Sequence, residues 1–496
     1  MNRSRGEASR GVLWVLGAAQ LMILLDTSIV HVALPSIREE FALPSHRLQW
    51  TVTAYALASG GFLLLGGHLG DLFGRRRMLT AGMALFAAAS ALGGFAPDGA
   101  VLIAARAAQG LGAALAAPAV LALLAAHYPE GKTRHRALGI LGTVSSLGFT
   151  LGLILGGVLT SALGWRWVFF VNVPAGTALV FLAPRVLMEC GRLQRPLDVP
   201  GAVTATAGLA LLVYACSSTG AGAETALARG ALAFSVLLLL AFLIIEARRA
   251  SPLVPLAMLR NRTLAGTLAV GGAFGAIMGT SIFLLTLYLQ EVLGFDPLRT
   301  GFAFLPQECV VLLASPLAGR AVGRFGAKAV LAGGMGFFGV GMLMLSGLSA
   351  QGDYWSTAVP GLLLIGLGVS CVIVAGAAAV TATVDPERHG LASGLWNTAP
   401  QIGTAVGLAA LVALARLQAD AGLDPVHAAA AVGTAAGGPA GAIPLAGFQA
   451  AFLATAGIAV AGLAAALAGM NTKTAQASRP RRGQPGEAAC QAGNDS

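Results

Sequence analysis

Residues 56–77 read ALASGGFLLLGGHLGDLFGRRR, and the order of these letters decides the fold. From Leu48 to Gly70 the chain holds no Asp, Glu, Lys or Arg; Asp71, Gly74, Arg75, Arg76 and Arg77 then follow in quick succession. An uncharged run of about twenty apolar residues is what a helix needs to cross a bilayer. Lipid offers no partners to the backbone, so such a run is a helix and not a strand. Arginines directly after it mark the end that stays on the cytoplasmic side. The same skeleton returns later as Gly319-Arg-Ala-Val-Gly323-Arg-Phe-Gly326-Ala-Lys328, again behind an apolar run.

The rest of the chain is written in the same alphabet. It has 496 residues, of which 56% are hydrophobic and 10% charged, with a mean hydropathy of +0.78. A soluble protein of this length carries roughly a quarter of its residues charged. Apolar blocks predict spans near residues 11–34, 49–69, 78–96, 100–123, 137–160, 166–187, 199–217, 229–246, 265–289, 301–320, 328–347, 355–381, 391–415 and 447–469. With both termini placed in the cytoplasm, 24 of the 31 Lys and Arg fall on the inner side. The exceptions are Arg38, Arg47, Arg166, Arg229, Arg299 and Arg416, which fall outside, and Arg106, which falls within a span. This bias satisfies the positive-inside rule and supports an even number of spans.

The net charge of +10 is explained by these inner loops, so no nucleic-acid partner is expected. Five cysteines, Cys190, Cys216, Cys309, Cys371 and Cys490, show neither metal nor disulfide spacing. The first apolar run is too long for a cleavable signal peptide and lacks a cleavage site. There is no P-loop GxxxxGK[ST] and no HExxH pair, so neither nucleotide hydrolysis nor a metal site is expected, and the chain reads as no enzyme. Arg dominance over Lys, with abundant Ala and Gly, suggests a high-GC bacterial genome. A long outer loop is expected around Asp420–Pro444, and a disordered cytoplasmic tail from Asn471.

A second echo pairs Gly148 and Gly152 of the fifth span with Gly403 and Gly407 of the thirteenth, at nearly the separation of the first. Two echoes, each at its place in the topology, point to two repeated six-helix halves with a helix pair between them. The expected organisation is an N-terminal segment 1–10, a bundle over 11–195, two linker helices and a loop over 196–263, a second bundle over 264–470 and a tail over 471–496.

Gly67-His-Leu-Gly-Asp71-Leu-Phe-Gly74-Arg75-Arg76 resembles the loop signature of the major facilitator superfamily. Leu25-Asp26-Thr-Ser-Ile29-Val-His31-Val-Ala-Leu-Pro35, Arg106-Ala-Ala-Gln109-Gly110-Leu-Gly112 and Trp165-Arg-Trp-Val-Phe-Phe-Val-Asn172-Val-Pro174 resemble its fourteen-helix drug:proton antiporter branch. So does Pro252-Leu-Val-Pro-Leu-Ala-Met-Leu-Arg260-Asn-Arg262. The resemblance implies an all-α membrane protein of two six-helix bundles and two inserted helices, lying in the bacterial plasma membrane. It implies alternating access, with proton influx and no cofactor driving export of drugs or antibiotics. A monomer is expected, whose partners are protons, membrane lipid and an amphipathic or lipophilic small molecule. The sequence departs from the pattern at Leu153, where the Gly148/Gly152/Gly156/Gly157 motif usually has Pro; at His31, usually Asn; and at Gly323, where the first half has Asp71. Leu153 leaves an importer or exporter of an ordinary metabolite as the alternative.

Charges inside hydrocarbon are costly and need a partner or a task. Asp26, Arg106 and Glu308 are therefore the candidates for proton coupling, expected at one level of a central cavity, with Arg106 competing with the proton for Asp26. A fixed ion pair locking helices one and four is the plainer reading of the first two. His31 reads as an interfacial histidine and Trp165 and Trp167 as interfacial anchors. Gly67, Asp71, Gly74, Arg75 and Arg76 form a structural loop, to which the resemblance adds the role of a conformational latch. Gly148, Gly152, Gly156 and Gly157 make a small-residue face for close helix packing.

Overall fold

The computed structural model describes residues 2–128, 131–189, 198–217, 223–249, 252, 254, 256–349, 352–384, 389–421, 443 and 445–469. Among them are fourteen helices long and apolar enough to cross a membrane, and no strand. They are α1 (Gly11–Phe41), α2 (Ser45–Phe73), α3 (Arg75–Gly94), α4 (Gly99–His127), α5 (Arg136–Leu163), α6 (Trp167–Val186) and α7 (Val199–Cys216). The others are α8 (Ala226–Arg248), α9 (Arg262–Val292), α10 (Pro297–Phe325), α11 (Ala327–Ser346), α12 (Val359–Ala382), α13 (Leu391–Ala415) and α14 (Leu445–Gly469). The chain is a multi-pass membrane protein. The expected outer loop and tail lie almost wholly outside the described residues, as do Cys190, Cys490, Arg192, Arg195 and Arg388.

Local chemistry sets the helix starts. Asp98 Oδ1 accepts from the N–H groups of Ala100 and Val101 at the head of α4, and Asn261 Oδ1 does the same for Thr263 and Leu264 at α9. At α10 the cap is Asp296, bonded to Arg299 N at 2.7 Å, with Pro297 in the first turn, where no N–H is missed.

One boundary differs from the expected one in a way that matters. The first span, expected to end at Leu34, continues through Pro35 to Phe41. Proline takes one N–H from the helix and should weaken it. Here the neighbouring carbonyl of Val32 receives 2.9 Å from Gln290 Nε2 of α9, so a helix of the other bundle supports the chain beside the interruption. Asp26 consequently stands in the middle of α1 rather than near its outer end.

The sequence repeat is a structural repeat. Glycine in a positive-φ conformation joins α2 to α3 at Gly74 (φ 109°) and α10 to α11 at Gly326 (φ 84°). Helix α5 crosses α1 with Gly152 over Leu25 and Ser28, and α13 crosses α9 with Gly403 over Gly272. Both crossings bring backbone against backbone, which only a residue without Cβ permits. Helices α1–α6 and α9–α14 thus form two bundles, and α7 and α8 pack on each other and, through α7, against α2 and α13. Most of α8 faces outward, with Leu227, Phe234, Leu237, Leu240, Leu243 and Ile244 exposed, as suits contact with lipid tails.

Among the described residues, and besides a contact between α1 and α9, two seams join the bundles. In one, Gly60 of α2 lies against Gln401 of α13. In the other, Gly157 of α5 lies against the Pro297 carbonyl of α10, and Gly301 of α10 against the carbonyl of Leu153. Ser161 Oγ of α5 accepts from Leu298 N at 3.2 Å. These α5–α10 contacts gather at the arginine-poor end. Toward the arginine-rich end a side chain added at Gly139 or Gly142 of α5, or at Gly319 or Gly323 of α10, would meet nothing within 4 Å. Along this seam the contacts just named lie at the arginine-poor end, and these glycines toward the other end face open space.

Candidate functional site

Asp26 is fully buried inside the first bundle, and each of its oxygens is bonded. Arg106 Nη1 of α4 donates to Oδ2 at 2.6 Å. Oδ1 accepts from Asn172 Nδ2 of α6 at 2.7 Å and from Gln109 Nε2 of α4 at 3.0 Å. Arg106 is itself held from three more sides. Its Nη1 reaches Gln109 Oε1 at 2.8 Å, its Nε donates to Thr51 O of α2 at 2.9 Å, and its guanidinium lies 4.5 Å from the centre of the Tyr55 ring. Gln109 Nε2 also donates to Ser90 Oγ of α3 at 2.7 Å. One carboxylate thus ties α1, α2, α3, α4 and α6 together.

The helical spacing explains how α4 does this. Arg106 and Gln109 are three residues apart and lie on one face. Below them Gly110 lets α4 come within a methyl group of the Tyr55 carbonyl. A buried ion pair persists only when further hydrogen bonds satisfy both ions, and this one has them.

Glu308 is placed elsewhere. It lies on α10 at the seam between bundles, 7% exposed. Its Oε2 accepts from Thr150 Oγ1 of α5 at 3.3 Å and its Oε1 from Gln307 Nε2 at 3.0 Å. The structure therefore joins Asp26 and Arg106 directly and keeps Glu308 apart from them, bridged to the opposite bundle by a neutral hydroxyl. His31 is buried on α1 with Nδ1 unpartnered among the described residues, so it is not interfacial. Trp165 is buried as well: its Nε1 donates to Glu40 Oε2 at 2.6 Å, beside the Glu40–Arg166 ion pair, and only Trp167 faces outward.

The glycine motif of α5 serves two surfaces. Gly148, Gly152 and Gly156 face α1, whereas Gly157 and the carbonyl of Leu153 face α10. Leu153, 1% exposed, thus fills the seam where a proline would lack an N–H.

The Gly67–Arg76 loop is a local clasp in this conformation. Arg75 Nη2 and Nε reach Asp71 Oδ1 at 2.9 and 3.1 Å, and Arg75 Nη1 reaches Ala122 O of α4 at 3.4 Å. Gly67 makes ordinary contact with Pro118. Glu189, which sequence reasoning passed over, caps α3: its Oε1 accepts from Arg76 N at 3.1 Å, the favourable place for a carboxylate. A side chain at Gly74 would fall 2.7 Å from the Glu189 carboxyl carbon, in a backbone conformation that L-residues avoid. Gly74→Ala is expected to cost about 1–3 kcal/mol, read as a lowered Tm of the solubilised protein.

Gln109, Asn172, Tyr55 and Ser90 are the functional neighbours that hydropathy hides. They are neutral; Gln109 and Asn172 stand in the motifs that carry the family resemblance, whereas nothing in the sequence signalled Tyr55 or Ser90.

Comparison with known proteins agrees with this architecture. The chain is 39% identical over 405 residues to the puromycin resistance protein pur8 of Streptomyces alboniger, covering 80% of both chains. It is 41% identical to the cephamycin export protein CmcT of Amycolatopsis lactamdurans, covering 79% of this chain and 82% of the relative. It is 36% identical to the multidrug resistance protein Stp of Mycobacterium tuberculosis, covering 82% and 76%. Among solved structures, an auto-inhibited POT family peptide transporter superposes with a TM-score of 0.67 at 17% identity, covering 96% of this chain and 99% of that one. A bacterial homolog of the human lysosomal transporter Spinster, inward-facing and unoccupied, gives 0.62 at 17% identity, covering 93% and 97%. The family model of the Major Facilitator Superfamily matches residues 16–407, and the chain belongs to that superfamily of transporters.

Proposed function

We propose that this transporter exports antibiotic-like, amphipathic small molecules across the bacterial plasma membrane in exchange for protons, with both termini in the cytoplasm. The observation that carries the reading is the Asp26–Arg106 pair: a buried carboxylate whose charge is balanced by one cation and two amide donors. A proton on Asp26 removes the anion that Arg106 is bonded to and leaves the arginine to resettle against Gln109, Thr51 O and the Tyr55 face alone. That rearrangement touches five helices of one bundle, which is how a proton would be felt at the seam. The relatives named for puromycin resistance, cephamycin export and multidrug resistance support export as the direction. The arginine-rich end, taken as cytoplasmic, is the end where the α5–α10 seam is open, which suits loading from the cell interior.

The energy is sufficient. One charge moving through 100 mV supplies about 2.3 kcal/mol, which supports a gradient of roughly fifty-fold before any pH difference. The proton gradient would be the sole energy source, without a cofactor, and the protein would act as a monomer in lipid. The test is expression in an efflux-deficient bacterial host against a panel of lipophilic antibiotics and cationic dyes. Resistance that a protonophore abolishes is the expected result; resistance to none of them would overturn export. Leu153, in place of the antiporter proline, favours a second reading, transport of an ordinary metabolite. Growth-linked uptake or release of a nutrient, with no drug phenotype, would select it.

A further inference from the structure

Among the described residues, one ion pair spans the two bundles at the arginine-poor end. Arg38, three residues from the end of α1, points Nη1 at both carboxylate oxygens of Glu291 on α9, at 2.7 and 2.9 Å. The pair is largely withdrawn from solvent: the side chains are 2% and 17% exposed. Glu291 sits in a five-residue π-helical turn, Tyr288–Val292, that closes α9. Such turns widen a helix locally, re-aim its side chains and recur at functional sites. Next to it Gln290 donates to the Val32 carbonyl, so two successive residues of this turn reach across to α1.

The two ions are not equally provided for. Arg38 has Nε and Nη2 buried without a partner among the described residues, so Glu291 is the group that makes its burial tolerable. A buried cation that loses its anion is strongly destabilised and gains by moving into water. Water lies on the far side of this seam, and reaching it requires the bundles to part there. Glu291, the more exposed partner, is the one a proton from that side meets first.

We propose that Arg38 and Glu291 form the gate between the bundles at the arginine-poor end, and that a proton taken by Glu291 from that side opens it. In this step a proton adds to a Glu291 oxygen, the carboxylate becomes neutral, and Arg38 keeps its charge and is released. The charges that act on Glu291 are Arg38 and Glu39 of α1. On α10, Arg299 and Asp296 pair with each other at 3.6 Å. Glu291 is then a second coupling carboxylate, distinct from Asp26; its part in transport rests on the proton-driven reading above.

The first test needs no transported compound. In a variant with its five cysteines replaced by serine, Val32→Cys places a thiol at a fully buried position beside the gate. A membrane-impermeant maleimide, applied from the arginine-poor side, labels that thiol only when the end opens. Rates are divided by those of Phe95→Cys, an exposed position at the same end, to remove the thiol's own pH dependence. Labelling is expected to rise as the pH on that side falls. Glu291→Gln should raise it about tenfold and abolish its pH dependence, Arg38→Ala should raise it similarly, and the charge exchange R38E/E291R should return it toward the parental rate. Parental, pH-dependent labelling in Glu291→Gln would overturn the proposal. As a second measurement, Arg38→Cys with Glu291→Cys should form a disulfide that stops transport, with recovery on reduction; undiminished transport by the cross-linked protein would also overturn it. Because labelling is independent of cargo, loss of protonophore sensitivity with an intact gate would count against the proposed function alone.

Discussion

Asp26→Asn is expected to abolish protonophore-sensitive export, collapsing the roughly fifty-fold gradient that one proton per cycle supports at 100 mV. Asparagine keeps the shape of the side chain and one acceptor oxygen, so Asn172 or Gln109 can remain in place. It cannot carry the charge that Arg106 answers, nor exchange a proton. The variant leaves Arg106 buried against Gln109 Oε1, Thr51 O and the Tyr55 ring, three contacts that soften the loss. Arg106→Ala is the harsher change. It strips Asp26 of its cation and opens a void among five helices, and removing one member of a buried pair costs about 3–5 kcal/mol. The prediction is therefore a split between stability and transport. Arg106→Ala should lower the Tm of the solubilised protein far more than Asp26→Asn does. Adding Asp26→Asn to Arg106→Ala should recover much of the Tm, and export should stay absent in all three. Normal export by a well-expressed Asp26→Asn variant would reduce the pair to a structural clamp.

The second large effect is expected along one helix. On α5 the room beside successive glycines shrinks from nothing within 4 Å at Gly142, to a carbonyl 3.0 Å away at Gly148, to overlap with Ser28 Oγ and the Leu25 carbonyl at Gly152. Gly142→Ala should be neutral or stabilising by up to about 1 kcal/mol, since alanine is the better helix former. Gly148→Ala should cost little. Gly152→Ala forces two backbones apart and should cost about 1–3 kcal/mol or more, with transport lost, because overpacking cannot be relieved by a rotamer change when the obstacle is main chain. Thermal unfolding of the three variants in one detergent checks the gradient; equal tolerance would refute the crossing of α1 and α5.

The membrane-spanning pattern was legible because hydrocarbon enforces it: each span must be apolar over about twenty residues, and the arginines must sit at one end. The inner repeat was legible at Gly74 and Gly326 because a positive φ admits few residues other than glycine. Asp26 and Arg106 stood out as charges in an apolar setting. Their neutral partners did not, since Gln109, Asn172, Tyr55 and Ser90 change hydropathy little and acquire meaning only through distances. Arg38 and Glu291 were missed for another reason. Ending the first span before Pro35, and the ninth at Leu289, turned both residues into loop charges. The helices continue past those points because each is held by the other bundle, and that contact is not local in sequence.

The inserted pair α7–α8 has a consequence beyond filling out the count of fourteen. By wedging α7 against α2 and α13 it shields one of the two seams from the bilayer. Among the described helices none covers the other, between α5 and α10, in that way, and its flanks carry exposed Leu138, Leu147, Leu151, Leu312, Leu313 and Leu317. The molecule is thus lopsided in the plane of the membrane. Among the described helices, the uncovered line between the bundles faces the lipid tails from one compass direction.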